Sequence, residues 1–302
     1  MGARDRLIVT ALRAARTMAE CLSLSTARGL GALLGRMAGR ILFRERRKAL
    51  RHIRLALPER GHEEHEAIID GMFEHLGMTL LEVCWMGNLN RKVLAETTVF
   101  EGLEHVAAAL AYGNGGVFFT GHCGNWEWLG AAIALSGFDV TVMAREIDNS
   151  DLNSFILTRR EMQGVHTIGR GSAVSAREML QVVRRGGILG FLLDQNIRSE
   201  SVKVPFFGLP APTPIGPAKL AIRSGATVLV MFIERRDGRQ FVTIGPPILT
   251  ARDDDAEELT ARITRSIEDQ IRRVPSQWVW MHQRWRERRK QIRERMPGER
   301  TG

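Results

Sequence analysis

From about residue 96 onward the chain alternates short runs rich in β-branched and aromatic residues with longer stretches of helical periodicity. Few folds accommodate that rhythm. Residues 116–120, 140–144, 188–193 and 227–233 are strand candidates, and helical patterns lie among them at 126–135, 152–162, 175–184 and 216–223. Such an alternation makes a largely parallel central sheet whose faces are covered by helices, an α/β fold. Residues 228–233 and 240–244, joined through Arg235-Arg236-Asp237-Gly238, read instead as a hairpin at the sheet's edge. A last helix is expected over 256–273.

The first 95 residues follow a different pattern. They read as mostly helical, with a break at Pro58 and Gly61 and a long helix from 63 to 85. No internal repeat or low-complexity linker divides the chain of 302 residues, which is long enough to bury a sizeable core. Residues 1–95 are therefore expected as a helical, membrane-associating N-terminal section. Residues 96–302 are expected as an α/β domain forming one compact unit with it.

The N-terminal helices are amphipathic. Ile8, Ala11, Leu12, Ala15, Met18, Ala19 and Leu22 share one helical face, opposite Arg13, Arg16 and Glu20. Leu30, Leu33, Leu34, Met37 and Ile41 repeat the design opposite Arg36 and Arg40, and the basic run Arg44-Glu45-Arg46-Arg47-Lys48 follows. An apolar face with a basic edge lies in a membrane surface, or packs on its own domain. The arginines interrupt every stretch that approaches the length of a bilayer span, so a peripheral or monotopic association is expected. The formal net charge of +9 points the same way, towards anionic partners. Cys21, Cys84 and Cys123 are scattered and odd in number, which fits a reducing compartment without disulfides.

The most informative segment is Phe118-Phe119-Thr120-Gly121-His122-Cys123-Gly124-Asn125-Trp126-Glu127. A strand ends in a Gly-flanked turn, and a histidine follows at once with a carboxylate five residues on. His65 with Asp70 and His282 with Glu287 share the spacing, but they lie in helix-like stretches, where five residues turn roughly 140° and the side chains diverge. Only at His122 does a turn intervene. In open α/β sheets ligands settle at the carboxyl ends of the strands. His122, Arg145 and Asp194 each follow such a strand and share one rim. A histidine base, carboxylates and a guanidinium suit deprotonation of an alcohol beside an anionic substrate.

Each of these residues also has an ordinary structural use. A strand-end histidine can be satisfied by backbone, and Asp194 can cap a turn. Cys123 beside His122 suggests a thiol nucleophile, but adjacent side chains point apart in extended chain and no third group is identifiable, and His122, Glu127 and Asp194 match no zinc motif. The chain has no G-x-S-x-G elbow, no Walker loop and no G-x-G-x-x-G after a strand, which argues against lipase, nucleotidyl and dehydrogenase chemistry. Val204-Pro205-Phe206-Phe207-Gly208 is a stiff aromatic loop that lines an acyl tunnel or plugs the core. The tryptophans of residues 275–285 suit either a membrane interface or the core.

Taken together, these segments resemble the late acyltransferases of lipid A biosynthesis (lauroyl and myristoyl transferases) and their relatives that acylate phosphatidylinositol mannosides. The similarity rests on five blocks in order: Arg46-Arg47-Lys48-Ala49 to Leu57-Pro58-Glu59; Gly121-His122-Cys123-Gly124-Asn125-Trp126-Glu127; Ala144-Arg145 through Arg160 to Gly164; Gly186-Gly187 through Asp194-Gln195-Asn196 and Pro205-Phe206-Phe207-Gly208; and Pro275 to Trp285. The resemblance implies a glycerolipid-acyltransferase-like fold. It also implies transfer of an acyl chain from an acyl-carrier thioester to a hydroxyl of a membrane glycolipid, at the cytoplasmic face of the inner membrane.

By the same analogy His122 is the general base and Glu127 orients it. Arg145, Arg160, Asp194 and Asn125 meet the substrates. The donor is an acyl-carrier protein or a coenzyme A thioester used as co-substrate, with no bound cofactor, no metal and no nucleic acid. The arginines that interrupt the N-terminus depart from the transmembrane helix with which the family often begins. Two rivals remain at this level: a thioester or lipid hydrolase, and a non-enzymatic basic protein that binds membranes or nucleic acid.

Overall fold

A computed structural model of the chain describes residue 10 and residues 14–146, 149–170, 173–197 and 199–285. Ile8, Ala11, Leu12, Arg13 and Glu287, named above, lie outside the described residues. Strand β2 (Gly116–Thr120) is buried at every position, as its unbroken apolar run requires of a central parallel strand. It pairs in parallel with β5 (Ile188–Leu192) on one side and β8 (Thr227–Arg236) on the other. Beyond β5 come β3 (Val140–Ala144) and then β4 (Val165–Gly169), both parallel. On the far side β9 (Arg239–Ile244) runs antiparallel to β8, and β1 (Thr98–Glu101) closes that edge, parallel to β9. The expected sheet is thus present, seven strands wide among the described residues.

The hairpin from β8 to β9 turns through Asp237 (φ 50°) and Gly238 (φ 73°). Both residues are left-handed, which matches the twist of the flanking strands. The hairpin is not at the edge as expected, because β1 covers β9. Four residues between a helix and a Gly turn carry too little periodicity to announce β1 beforehand. The same holds for β4, a half-exposed edge strand. Residues 201–214 also differ from expectation. They form a two-stranded ribbon of β6 (Ser201–Phe206) and β7 (Leu209–Pro214), turning at Phe207 (φ 54°) and Gly208. Its prolines disguise it in the sequence, and a ribbon with two free edges tolerates them.

Alternation sorts the two faces of the sheet. Val117, Phe119, Leu189, Phe191, Val228 and Val230 face one core with Ile263, Ile267 and Ile271 of α11 (Ala256–Arg273). Phe118, Ile188, Leu229 and Met231 face the other with Trp128 and Leu129 of α7 (Trp126–Leu135). Gly190 makes room for the Phe118 ring, to which a Cβ would come within 2.3 Å.

The N-terminal section is helical: α1 (residues 14–21), α2 (Leu24–Ile41), α3 (Phe43–Ala56), α4 (His62–Trp85) and the short α5 (Arg91–Thr97), while α6 (Glu104–Ala111), α9 (Ala173–Arg184) and α10 (Gly216–Ser224) lie between the strands. Both cores draw on this section, through Ile53 and Met72 in one and Leu81 and Val83 in the other. No described helix is long and apolar enough to cross a membrane.

Glu82 of α4, fully buried, holds the two sections together. It accepts hydrogen bonds from Arg28 of α2 (2.5 Å), from Arg235 of β8 (3.0 Å), from Gln240 of β9 (3.0 Å) and from Asn125 at the head of α7 (2.8 Å). Burial alone would raise its pKa, but Arg235, Arg28 and Asn125 together hold it below the ordinary value. Removing the carboxylate leaves the buried guanidinium groups of Arg28 and Arg235 without their shared anion. Glu82→Ala is therefore expected to cost roughly 3–5 kcal/mol of stability, read as a fall in Tm and in the denaturant midpoint.

Candidate active site

The register of the sheet builds the site. Thr120 lies opposite Leu192 in the β2–β5 pair, and two residues beyond each stand His122 and Asp194. The chain leaves β2 through Gly124 (φ 60°), where a Cβ would sit 2.0 Å from the carbonyl oxygen of Ile233. Only glycine fits there. Asn125 then caps α7, accepting from the Trp128 N–H at 3.0 Å, so the turn is pinned between strand and helix and lifts His122 onto the rim.

Asp194 is 1% exposed and accepts three hydrogen bonds. The His122 backbone N–H donates to Oδ2 at 2.8 Å, His122 Nδ1 lies 2.8 Å from Oδ1, and the Trp278 indole N–H donates to Oδ2 at 2.7 Å. An ionised carboxylate only accepts, so Nδ1 carries the proton and Nε2 keeps its lone pair. Burial works to raise the Asp194 pKa, but the imidazole and the Trp278 indole bring it from 3.8 down to about 2. The anion that orients the histidine is thereby kept charged.

Trp278 comes from the segment after α11, which straps the rim. Cys123 forms a bridge with Trp278, and Gln277 accepts from the Gly124 N–H at 2.9 Å. Gln277 also exchanges two hydrogen bonds of 2.8 Å with the backbone of Arg235. His282 Nε2 accepts from the Asn196 N–H at 3.1 Å, and burial lowers its pKa to about 4, so the neutral ring that this contact needs is the stable form. Arg284, fully buried, donates to the Pro212 carbonyl and the Thr213 hydroxyl. Trp278, Trp280 and Trp285 are all buried, packed with Phe206 and Phe207. Of the two uses expected for these aromatics, core packing is the one observed for all five.

His122 faces a cavity of about 720 Å³. Phe118, Val142, Met179, Leu180, Phe191 and Leu220 give it apolar walls, and charged side chains, Glu127, Arg145 and Arg160 among them, also line it. Glu127 and Arg160, the latter on α8 (Ser150–Met162), form a two-pronged ion pair of 2.8 and 2.7 Å. Burial acts to lower the Arg160 pKa, and Glu127 more than offsets it.

Three expectations are corrected here. The carboxylate on the His122 imidazole is Asp194 rather than Glu127, because strand pairing delivers Asp194 to Nδ1 while the first turn of α7 delivers Glu127 to Arg160. Asp194, expected to meet substrate, is sealed beneath the imidazole. Asn125, also expected there, is fully buried between Glu82 and the α7 N-terminus. Arg145 and Arg160 do line the cavity. Cys123 is buried outside it, and burial raises its thiol pKa well above the ordinary value, so no thiolate is available. Among the described residues no three His, Cys, Asp or Glu side chains converge as metal ligands.

Trp278, the second side-chain donor to Asp194, is the residue of this site that the sequence did not announce. Its signal was present as an indole in a Pro-Ser-Gln-Trp turn, but nothing local pairs it with a carboxylate 84 positions away.

The family model described as bacterial lipid A biosynthesis acyltransferase matches residues 6–287. A phosphatidylinositol mannoside acyltransferase of Mycobacterium tuberculosis (strain CDC 1551 / Oshkosh) is 28% identical over 234 residues, covering 74% of this chain and 73% of its own. The lipid A biosynthesis lauroyltransferase of Escherichia coli (strain K12) is 27% identical over 277 residues, 86% of this chain and 85% of its own. The lipid A biosynthesis myristoyltransferase of the same strain is 25% identical over 274 residues, 89% and 81% of the two chains.

A depressed carboxyl pKa stabilises the fold above its unfolded value, and that contribution is lost as the pH falls through the folded value. For Asp194 the window runs from 3.8 down to about 2. Trp278→Phe keeps the ring but removes one donor. Its acid unfolding, followed by circular dichroism, is expected to begin at higher pH than in the parent, with a loss of roughly 1.5–3 kcal/mol at neutral pH.

Proposed function

The chain belongs to the family of bacterial lipid A biosynthesis acyltransferases, enzymes that transfer acyl groups, and from that membership we propose its reaction. A fatty acyl chain passes from an acyl-carrier thioester to a hydroxyl of a membrane glycolipid. The observation that carries this reading is His122, bound through Nδ1 to a buried Asp194 and facing a cavity lined by apolar and charged side chains.

The acyl chain lies along the apolar wall with its thioester beside the imidazole. His122 Nε2 takes the proton of the acceptor hydroxyl as its oxygen attacks the thioester carbonyl carbon. Asp194 stabilises the imidazolium that forms and fixes the ring that forms it. The tetrahedral intermediate collapses, the C–S bond breaks, and the proton on Nε2 passes to the departing thiolate. Ester and free thiol are the products. No covalent enzyme intermediate and no bound cofactor is required.

Arg160, steadied by Glu127, and Arg145 hold anionic groups of the acceptor or donor in the cavity. An acidic carrier protein is the donor that a chain of net charge +9 favours. The acceptor belongs to the class shared by lipid A precursors and phosphatidylinositol mannosides: a glycolipid presented at the cytoplasmic face of the inner membrane to a peripherally attached enzyme.

The test supplies acyl-carrier protein thioester and candidate glycolipids and reads the products by mass spectrometry. His122→Ala and Asp194→Asn are expected to lower transfer by about 10²–10⁴-fold, with an unchanged circular dichroism spectrum for His122→Ala. Free fatty acid as the sole product of the parent enzyme would establish hydrolysis instead. Full activity in His122→Ala would remove the imidazole from the chemistry.

A further inference from the structure

Helix α2 is built the wrong way round for a helix in water. The face it presents to α4 is made of small residues: Ala27, Gly31, Ala32, Gly35 and Gly39 are its buried positions apart from Arg28. The helices meet so closely that a Cβ at Gly31 would lie 2.6 Å from the Gly77 carbonyl oxygen, and one at Gly35 would lie 2.1 Å from that of Phe73. Its large apolar residues point outward. Leu33, Leu34, Met37 and Ile41 are exposed, and the junction with α3 continues the patch through Leu42 and Phe43, with Ile41 at 68% and Phe43 at 60%. A helix of a soluble domain turns its aliphatics inward. Small residues inside and large ones outside are the arrangement of helices surrounded by lipid.

Arginines border the patch. Arg40, Arg44 and Arg47 are exposed. Among the described residues they form none of the ion pairs that engage their neighbours, which send Arg36 to Glu74 and Arg46 to Glu66 and Asp70. On α2 the aliphatics span about 100° of the helical wheel, with Arg36 and Arg40 flanking that arc on one side. A second copy of this chain seated on the patch by a two-fold axis would set these cations against one another. An anionic lipid surface neutralises them instead.

We propose that the outward face of α2, with Leu42 and Phe43, is the surface on which this protein seats in an anionic bilayer. The helix lies in the membrane plane, its aliphatics at the boundary of the acyl chains and Arg40, Arg44 and Arg47 among the headgroups. This deepens the reading of a peripheral acyltransferase by naming its docking face, but it stands on the helix and not on the chemistry.

The experiment is flotation of the full chain with phosphatidylcholine vesicles containing about one-third phosphatidylglycerol. The parent protein floats. The variant carrying Leu33→Ser, Met37→Ser, Ile41→Ser and Phe43→Ser keeps its melting curve and loses at least about tenfold in vesicle partition. Arg40→Gln, Arg44→Gln and Arg47→Gln together reduce binding to the level the parent shows on pure phosphatidylcholine, and flatten its dependence on salt. Undiminished flotation of the serine variant overturns the proposal. So does a parent dimer on size exclusion that the serine variant turns into a monomer without change in flotation, since a second copy would then own the face. Acyl transfer to a detergent-dispersed acceptor is expected to survive in the serine variant, so failure of the docking face and failure of the proposed reaction give different results.

Discussion

The Asp194 carboxylate is where the parts of this molecule meet. It is buried at the end of a central strand and saturated by the backbone and imidazole of His122 and the indole of Trp278. The carboxylate and its donors come from three distant stretches of chain, so the β2–β5 register, the turn after β2 and the strap after α11 must all be in place before the carboxylate is satisfied. An unpaired carboxylate at that depth would be strongly destabilising. The fold and the state of the histidine are thus secured by the same contacts.

A second buried carboxylate supports the first from behind. Glu82 joins α2, α4, β8 and β9 and, through Asn125, the cap of α7. That cap pins the turn that carries His122 and sets the first turn of α7, from which Glu127 reaches Arg160. The N-terminal helices therefore hold the rim that carries His122 as well as presenting an apolar face outward. Two pairs result: an oriented imidazole at His122 and a guanidinium at Arg160, both lining the cavity and each with its own carboxylate. Keeping the two carboxylates apart lets one tune a proton while the other fixes a cation.

Much of the architecture was legible in the chain. Strands β2 and β3 and helices α7 and α11 stand where their periodicity put them, because each is long enough or apolar enough to show one pattern without ambiguity. The two-residue turn at Asp237-Gly238 could be read for the same local reason. His122 was legible because a Gly-flanked turn after an apolar strand is an unusual setting for an imidazole. Strands β1 and β4 were not, being short and half-exposed, and the β6–β7 ribbon was masked by its prolines.

What the sequence by itself determined was the layered α/β fold, the rim at the strand ends, and the residue types that stand there, since these follow from periodicity and from glycines at positions of obligatory turn. Which carboxylate serves which cation was decided only in three dimensions. Glu127 is five residues from His122 and Asp194 is 72 residues away, yet hydrogen-bonded neighbouring strands bring the distant one to Nδ1, while the near one begins a helix that faces Arg160. The same is true of α2, whose apolar face was visible as a pattern. Only the close approach of its glycines to α4 showed that this face points away from the protein.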